Sequence, residues 1–137
     1  MGNYCFVIMP FSKTKGYRDE TYWTKLFEEF VKPSVEALGY RCERSKARPS
    51  NIIKDILREL LEAELVIAVL TDFNANVWYE LGTRHTLCRG TVMIVQKGQK
   101  LPFDIQQHGV IFYDGKNPDK NKFQAKLKDF VEYIEKH

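Results

Sequence analysis

Cysteine is scarce in this 137-residue sequence, which has only Cys5, Cys42 and Cys88. The three are odd in number and widely spaced, and no CxxC pair occurs, so a disulfide scaffold and a cysteine-ligated zinc site are excluded. Isolated cysteines of this kind pack as small apolar side chains in a reducing compartment. We therefore expect a cytoplasmic protein without a metal site.

A long hydrophobic run is also missing. The most apolar stretch, residues 65–70, is far shorter than the ~20 residues that a membrane span needs. No positively charged segment followed by a long apolar stretch opens the chain, so we expect no secretory signal and no membrane partner.

Neither sign of charge is in strong excess. Lysine and arginine together number 21, and aspartate and glutamate 18, which gives a net charge of +3. This surplus suits a phosphorylated ligand but is too small and too dispersed to predict nucleic-acid binding. Hydrophobic residues make up 44% of the chain, too many for a disordered protein, and no linker or repeat divides it. We expect a single domain over residues 1–137.

The sequence motifs of several large enzyme classes are absent. There is no GxGxxG and no GxxxxGK[ST], which excludes Rossmann-type dehydrogenases and P-loop kinases. HExxH and GxSxG are absent as well, so a zinc protease and an α/β-hydrolase are excluded in the same way. We expect no bound cofactor.

Segments of strand type alternate with segments of helical periodicity along the chain. The strand segments are residues 4–9, 40–43, 65–70, 91–96 and 110–113. Helical periodicity marks residues 22–38, 50–61, 77–89 and 123–134. Gly39 is expected to close the first helix in a left-handed conformation. Pro33 lies inside that helix and removes one backbone donor, so we expect a kink near Glu29.

This alternation predicts an α/β fold in which a parallel sheet carries helices on both faces. Right-handed crossovers and five strands favour the flavodoxin-like three-layer sandwich with strand order 2-1-3-4-5. In such a sheet a ligand binds beyond the carboxyl ends of the strands where the order reverses, here between strands one and three. The loops at residues 10–19 and 71–76 are therefore the expected binding site.

The segment that follows strand three carries most of the polar chemistry. Glu80 lies about one turn inside a helix that Asn74 or Asn76 can cap, and helical spacing turns it toward the cleft. The competing explanation is that Glu80 only complements the helix dipole. The candidate catalytic carboxylates are Glu80 and Asp72, and the candidate substrate-binding residues are Pro10, Phe11, Ser12, Arg44, Asn74, Asn76 and Trp78.

The loop after strand one is expected to hold the rest of a nucleotide. Phe11 can stack on a base, and Ser12 can meet phosphates together with the basic residues Lys13, Lys15 and Arg18. For the lysines, a solvated loop is the competing explanation. Arg44 lies after strand two on the same rim. Trp78 is either an aromatic wall of the site or part of the core.

Three stretches of the chain, FVIMPFS, LVIAVLTDFNANVWYELGTRH and LPFDI, resemble the TIR-like and nucleoside 2-deoxyribosyltransferase-like superfamily of prokaryotic domains. The most specific part is the NxNVxYELGxxH pattern, which runs from Asn74 to His85. The resemblance implies cleavage or transfer of an N-glycosidic bond to a ribose, with Glu80 as the key catalytic residue. Its TIR branch includes NAD glycohydrolases that act in antiphage defence, self-associate, and are joined to or triggered by a sensor of a nucleotide signal.

The sequence departs from many relatives at two positions. Val69 stands where they carry an aspartate in strand three, and Ser45 and Lys46 follow Arg44 where they carry an acidic residue. Both departures remove carboxylates that deoxyribosyltransferase chemistry could use. The resemblance to the deoxyribosyltransferase branch is therefore weaker than that to the TIR branch.

The chemistry of the leaving group leads to the same preference. An N-ribosyl bond breaks through an oxocarbenium-like state, which one carboxylate such as Glu80 can stabilise. Nicotinamide leaves NAD from a cationic ring and needs no acid, whereas a neutral base must be protonated, and Asp72 is the residue available for that. The sequence therefore predicts a TIR-like NAD glycohydrolase with NAD as its substrate. The alternatives are a nucleoside 2-deoxyribosyltransferase or deoxynucleoside N-hydrolase, and a TIR-like assembly module without activity.

Self-association is expected from the same resemblance, because TIR-like glycohydrolases usually complete their site across a subunit contact. The loop at residues 97–107 is long enough to take part. A nucleotide-sensing partner, fused or separate, is the expected source of a trigger.

The first prediction concerns Glu80. The Glu80→Gln variant is nearly isosteric, so we expect it to fold normally and to lose most of the base-releasing activity, because the oxocarbenium-like state loses its carboxylate. Base release by the wild type and the variant is compared at equal concentration, with circular dichroism as the control for folding. A variant as fast as the wild type contradicts the assignment.

Overall fold

The strand β3, Leu65–Val69, lies at the centre of the sheet because every one of its side chains is apolar and buried. It pairs in parallel with β1, Tyr4–Ile8, on one side and with β4, Thr91–Gln96, on the other. Parallel strands with helices on both faces have no solvated side, which explains the continuous apolar sequence of β1 and β3.

A computed structural model describes residues 3–10, 13–14, 17–44, 58–73, 77, 81, 90–100 and 110–136. Strand β2, Arg41–Arg44, pairs with β1, and strand β5, Val110–Tyr113, pairs with β4. All pairs are parallel and the order is β2-β1-β3-β4-β5. The predicted fold class and strand order are confirmed, and β4 and β5 have the predicted bounds.

Helical segments among the described residues lie before β2, on both sides of β3 in sequence, and after β5. They are α1, Glu20–Lys25, a π-helical segment, Leu26–Val31, α2, Lys32–Glu36, residues 58–62, a short 3-10 turn, Thr71–Phe73, the helical positions 77 and 81, and α3, Lys120–Lys136. Within the described ranges, no helix is long and apolar enough to cross a membrane. The first helix begins at Glu20, two residues before its predicted start, because the side chain of Asp19 accepts a hydrogen bond from the Tyr22 N–H at 2.9 Å and caps it.

The core has two layers, one on each face of the sheet, because successive side chains of a strand point to opposite faces. On one face, Val7, Ile67 and Ile94 belong to a cluster with the helical residues Trp23, Phe27, Phe30, Phe123, Leu127 and Val131. On the other face, Phe6, Val66 and Met93 belong to a cluster with Leu60, Val77 and Leu81. The three-layer arrangement therefore follows from the alternation of buried side chains.

Pro33 changes the first helix in a way that the sequence predicts only in part. At the place of the expected kink, near Glu29, the structure has the π-helical segment, in which the Lys32 N–H donates to the carbonyl of Phe27, five residues back. Proline has no N–H to give to the carbonyl four residues before it, and the wider π turn pairs each carbonyl with a later donor. Gly39 ends the helix with φ +90, as predicted.

The packing of α3 gives a stability prediction. Leu127 is fully buried against the sheet, so Leu127→Ala removes its apolar contacts and leaves a cavity, at an expected cost of about 2–5 kcal/mol in the free energy of unfolding. Leu61 is 53% exposed, and Leu61→Ala is the matched control with an expected change within about 0.5 kcal/mol. Urea denaturation measures both. Equal losses in the two variants would contradict the packing described for α3.

Candidate active site

The chain turns sharply where β3 ends, at the predicted switch point between β1 and β3. Leu70 and Thr71 are buried, and Asp72 then adopts φ 66 and ψ 13, in the left-handed region. Asp72 is the one residue other than glycine with a positive φ among those described. Asparagine and aspartate tolerate this region better than most residues, but it still carries strain, and such strain concentrates at functional sites.

The side chain of Gln99 bonds to the backbone on both sides of this turn. The Gln99 amide oxygen accepts a hydrogen bond from the Asp72 N–H at 2.8 Å, and the Gln99 amide nitrogen donates to the Leu70 carbonyl at 2.9 Å. Gln99 follows β4, so the loop after β4 is joined directly to the end of β3. The strained conformation of Asp72 thus depends on a neighbouring loop and not only on its own sequence.

The Asp72 carboxylate faces the loop that follows β1. Thr14 donates its hydroxyl hydrogen to Asp72 Oδ2 at 2.6 Å, and Arg18 Nε lies 3.6 Å from the same oxygen. The side chains of Arg18 and Asp72 are both less than one-tenth exposed. Both partners of Oδ2 are donors, so this oxygen acts as an acceptor. Among the described residues no hydrogen bond to Oδ1 is found.

Aromatic rings fix the position of Arg18. Its guanidinium carbon lies 4.7 Å from the ring centroid of Tyr17 and 5.9 Å from that of Tyr22, and these two rings meet edge to face at 5.4 Å. Such cation–π contacts are electrostatic attractions to the ring faces. Arg18 is thereby held beside Asp72 at the carboxyl edge of the sheet.

A second group of hydroxyls lies at the same edge. The hydroxyls of Thr71 and Tyr113 are 2.9 Å apart, and Thr71 Oγ1 accepts from the Gln96 N–H at 3.1 Å. The Tyr22 hydroxyl donates to the Gly115 carbonyl at 2.8 Å. Burial raises the pKa of both Tyr22 and Tyr113 above the usual range, so both phenols stay protonated at neutral pH.

The predicted substrate-binding residue Arg44 contacts the helical segments that precede β2. The guanidinium of Arg44 faces α1 and the π-helical segment, where it lies 5.3 Å from the Phe27 ring and donates to Thr24 Oγ1 at 3.2 Å. Pro10 is buried directly after β1. The remaining predicted site residues lie outside the described part of the chain, so their roles stay predictions; they are Phe11, Ser12, Asn74, Asn76, Trp78 and Glu80.

Sequence reasoning missed several of the polar residues at this edge. Tyr113 ends β5, so the rule that ligands lie at the carboxyl ends of strands was a signal that could have found it. Thr14 and Gln99 carry no such signal, because both lie in loops and act through single side-chain contacts. In the part of the chain that is described, no group of three or more histidine, cysteine, aspartate and glutamate side chains is placed to hold a metal ion.

Comparison with known proteins supports the fold. No protein-family model and no curated protein matches the chain, whereas 44 chains of solved structures do. One of them is a 2-deoxyribosyltransferase from the psychrotolerant bacterium Bacillus psychrosaccharolyticus, similar over 88% of this chain and 90% of that chain, with a TM-score of 0.61 and 12% identity. At this identity the likeness shows a shared fold. The chain has a nucleoside 2-deoxyribosyltransferase-like fold, and its assignment to the TIR-like branch stays a prediction.

The clamp on Asp72 can be tested by removing Gln99. In Gln99→Ala the buried Leu70 carbonyl and the Asp72 N–H both lose their partner, so we expect a loss of about 1–3 kcal/mol in the free energy of unfolding. The control is Gln124→Ala, which changes a half-buried glutamine on α3 for which the described residues show no side-chain hydrogen bond. Urea denaturation compares the three proteins. A loss no larger than that of the control contradicts the role of Gln99.

Proposed function

We propose that this chain breaks the N-glycosidic bond of a 2′-deoxynucleoside and passes the sugar to water or to a second base. The observation that carries the proposal is an aspartate, Asp72, in a strained turn at the switch point of a fold shared with a 2-deoxyribosyltransferase. This fold-level likeness favours the deoxynucleoside substrate over the NAD that the sequence predicts. What the neighbour acts on is carried to this chain by analogy alone.

In this proposal two carboxylates divide the work. Glu80 stabilises the oxocarbenium-like sugar at the anomeric carbon, or attacks it to form a covalent ester. Asp72 protonates the leaving base from Oδ1, while Oδ2 accepts the hydrogen bond of Thr14 and faces Arg18. Breaking the bond leaves its electron pair on the base nitrogen, which takes that proton. The incoming water or base then bonds to the anomeric carbon and returns a proton to Asp72.

NAD remains a second candidate substrate because of one specific observation. Arg18 Nε lies 3.6 Å from Asp72 Oδ2, and the Thr14 hydroxyl donates to the same oxygen, so both groups that face this oxygen are donors. A cationic nicotinamide ring needs no general acid when it leaves, so a carboxylate that faces donors suits NAD cleavage. Self-association and a nucleotide-sensing partner stay predictions for either substrate.

The two substrates are separated by one set of assays. Deoxyinosine and NAD are given to the wild type, to Asp72→Asn and to the control Asp129→Asn, which changes an exposed aspartate on α3. Free hypoxanthine and free nicotinamide are followed by chromatography. We expect hypoxanthine release by the wild type and a loss of about a hundredfold or more in Asp72→Asn, because a general acid contributes on this scale.

The other outcomes are equally definite. If nicotinamide is released, hypoxanthine is not, and Asp72→Asn leaves the rate nearly unchanged, NAD is the substrate and not the deoxynucleoside. Base release from neither substrate, with protein from nanomolar to high micromolar concentration so that self-association is covered, would contradict both.

A further inference from the structure

The side chain of Tyr113 connects two strands that are not neighbours in the sheet. Tyr113 ends β5, Thr71 follows β3, and β4 lies between these two strands. The hydroxyls of Tyr113 and Thr71 are 2.9 Å apart, and both side chains are buried. The Tyr113 phenol therefore spans the end of β4 and reaches the turn that follows the central strand.

Thr71 immediately precedes Asp72, and two contacts hold its side chain. Thr71 Oγ1 accepts from the Gln96 N–H at 3.1 Å and shares the hydrogen bond with the Tyr113 hydroxyl. A β-branched residue has few favourable χ1 rotamers, and two hydrogen bonds at one hydroxyl reduce the choice further. The backbone that leads into the left-handed turn at Asp72 is thereby held from the side of β5.

A second route leads from the same end of β5 to the Asp72 carboxylate. The Tyr22 hydroxyl donates at 2.8 Å to the carbonyl of Gly115, which lies two residues after Tyr113. The centroid of the Tyr22 ring lies 5.9 Å from the guanidinium carbon of Arg18, whose Nε lies 3.6 Å from Asp72 Oδ2. The end of β5 thus reaches Asp72 through its backbone on one side and through a partner of its carboxylate on the other.

We propose that Tyr113 is a positioning residue for Asp72, because its hydroxyl holds Thr71 and with it the turn from which Asp72 acts. Tyr113 itself is only 3% exposed, which is too little for contact with a substrate. The left-handed conformation of Asp72 is disfavoured for a residue other than glycine and persists only where its surroundings hold it. A small displacement of a catalytic group costs much of its effect on the rate. This inference rests on the proposed function and adds the residue that keeps its general acid in place.

The first test is Tyr113→Phe, which removes the hydroxyl and keeps the ring. We expect kcat for deoxyinosine to fall by about threefold to tenfold, the range for one hydrogen bond, and KM to change by less than about twofold because the substrate contacts remain. The matched control is Tyr40→Phe. It removes the 2.8 Å hydrogen bond between another buried phenol and Glu135, at the opposite end of the sheet, where β2 begins.

The control separates positioning from stability. We expect Tyr40→Phe to lose a similar amount of stability in urea denaturation and to keep the kcat of the wild type. A loss of kcat that is equal in the two variants, or that is absent in Tyr113→Phe, overturns the proposal.

A double-mutant cycle tests whether Tyr113 acts through Asp72. If it does, Tyr113→Phe has no further effect once the carboxyl group is gone, so the double variant with Asp72→Asn should be as slow as Asp72→Asn alone. Independent roles would multiply the two losses. We also expect Thr71→Ser, which keeps the hydroxyl, to retain more of the wild-type kcat than Thr71→Val, which loses it. Losses that multiply, or equal rates in the two Thr71 variants, contradict a route through Thr71 to Asp72.

Failure of the proposed function gives a different result. If no base is released from deoxyinosine, the link is measured through hydrogen exchange of the Asp72 backbone amide, followed by NMR spectroscopy. We expect this amide to exchange about threefold faster or more in Tyr113→Phe, as for the loss of one hydrogen bond, and to keep its wild-type rate in Tyr40→Phe.

The outcomes distinguish the two proposals. Faster exchange in Tyr113→Phe without base release supports the positioning of the turn and counts against the proposed reaction. Base release that Tyr113→Phe leaves unchanged supports the proposed function and overturns the role of Tyr113. Unchanged exchange together with no base release contradicts both.

Discussion

A strand buried on both faces has no polar side chain to offer, so the chemistry of this fold begins where its central strand ends. Strand β3 is apolar throughout, and Leu70 continues it by donating its N–H to the Ile94 carbonyl at 2.8 Å. Asp72 is the first charged residue after this strand. Its left-handed turn directs the carboxylate to the loop after β1, and Gln99 joins the same turn to the loop after β4. Three loops are thereby organised by one strand end.

The pairing of Arg18 with Asp72 is poorly explained as a source of stability. Removing an ion from water costs several kcal/mol even after relaxation, and a buried ion pair offsets this only with good geometry and further hydrogen bonds. Here the nitrogen–oxygen distance is 3.6 Å and the buried Nε has no acceptor. The contacts with Tyr17 and Tyr22 contribute about 0.5–2 kcal/mol each at most. The burial of Arg18 is therefore not explained by this ion pair alone.

The strands and their order could be predicted from the sequence because the patterns that mark them are local. Continuous apolar runs and the glycine at Gly39 mark where elements begin and end, and the alternation of strands and helices limits the order of the sheet to few choices. Pro33 likewise indicated where the first helix departs from regular α-helical geometry, although the π-helical form of this segment depends on how the whole helix packs. The site is different, because Gln99 and Thr14 reach Asp72 by single side-chain contacts between segments far apart in sequence. No periodicity records such contacts, and none records the contact between Arg44 and the Phe27 ring.

Val69 shows what a carboxylate inside this strand would cost. Its side chain is fully buried in the cluster that includes Trp23 and Phe30, so a carboxylate there would lose its hydration. Three residues later the chain has left the sheet, and Asp72 meets a hydroxyl, a guanidinium and a side-chain amide. A carboxylate can be kept at that point because polar partners surround it. In this fold a carboxylate can therefore be retained in the turn beyond β3, where the loops after β1 and β4 supply the partners of Asp72.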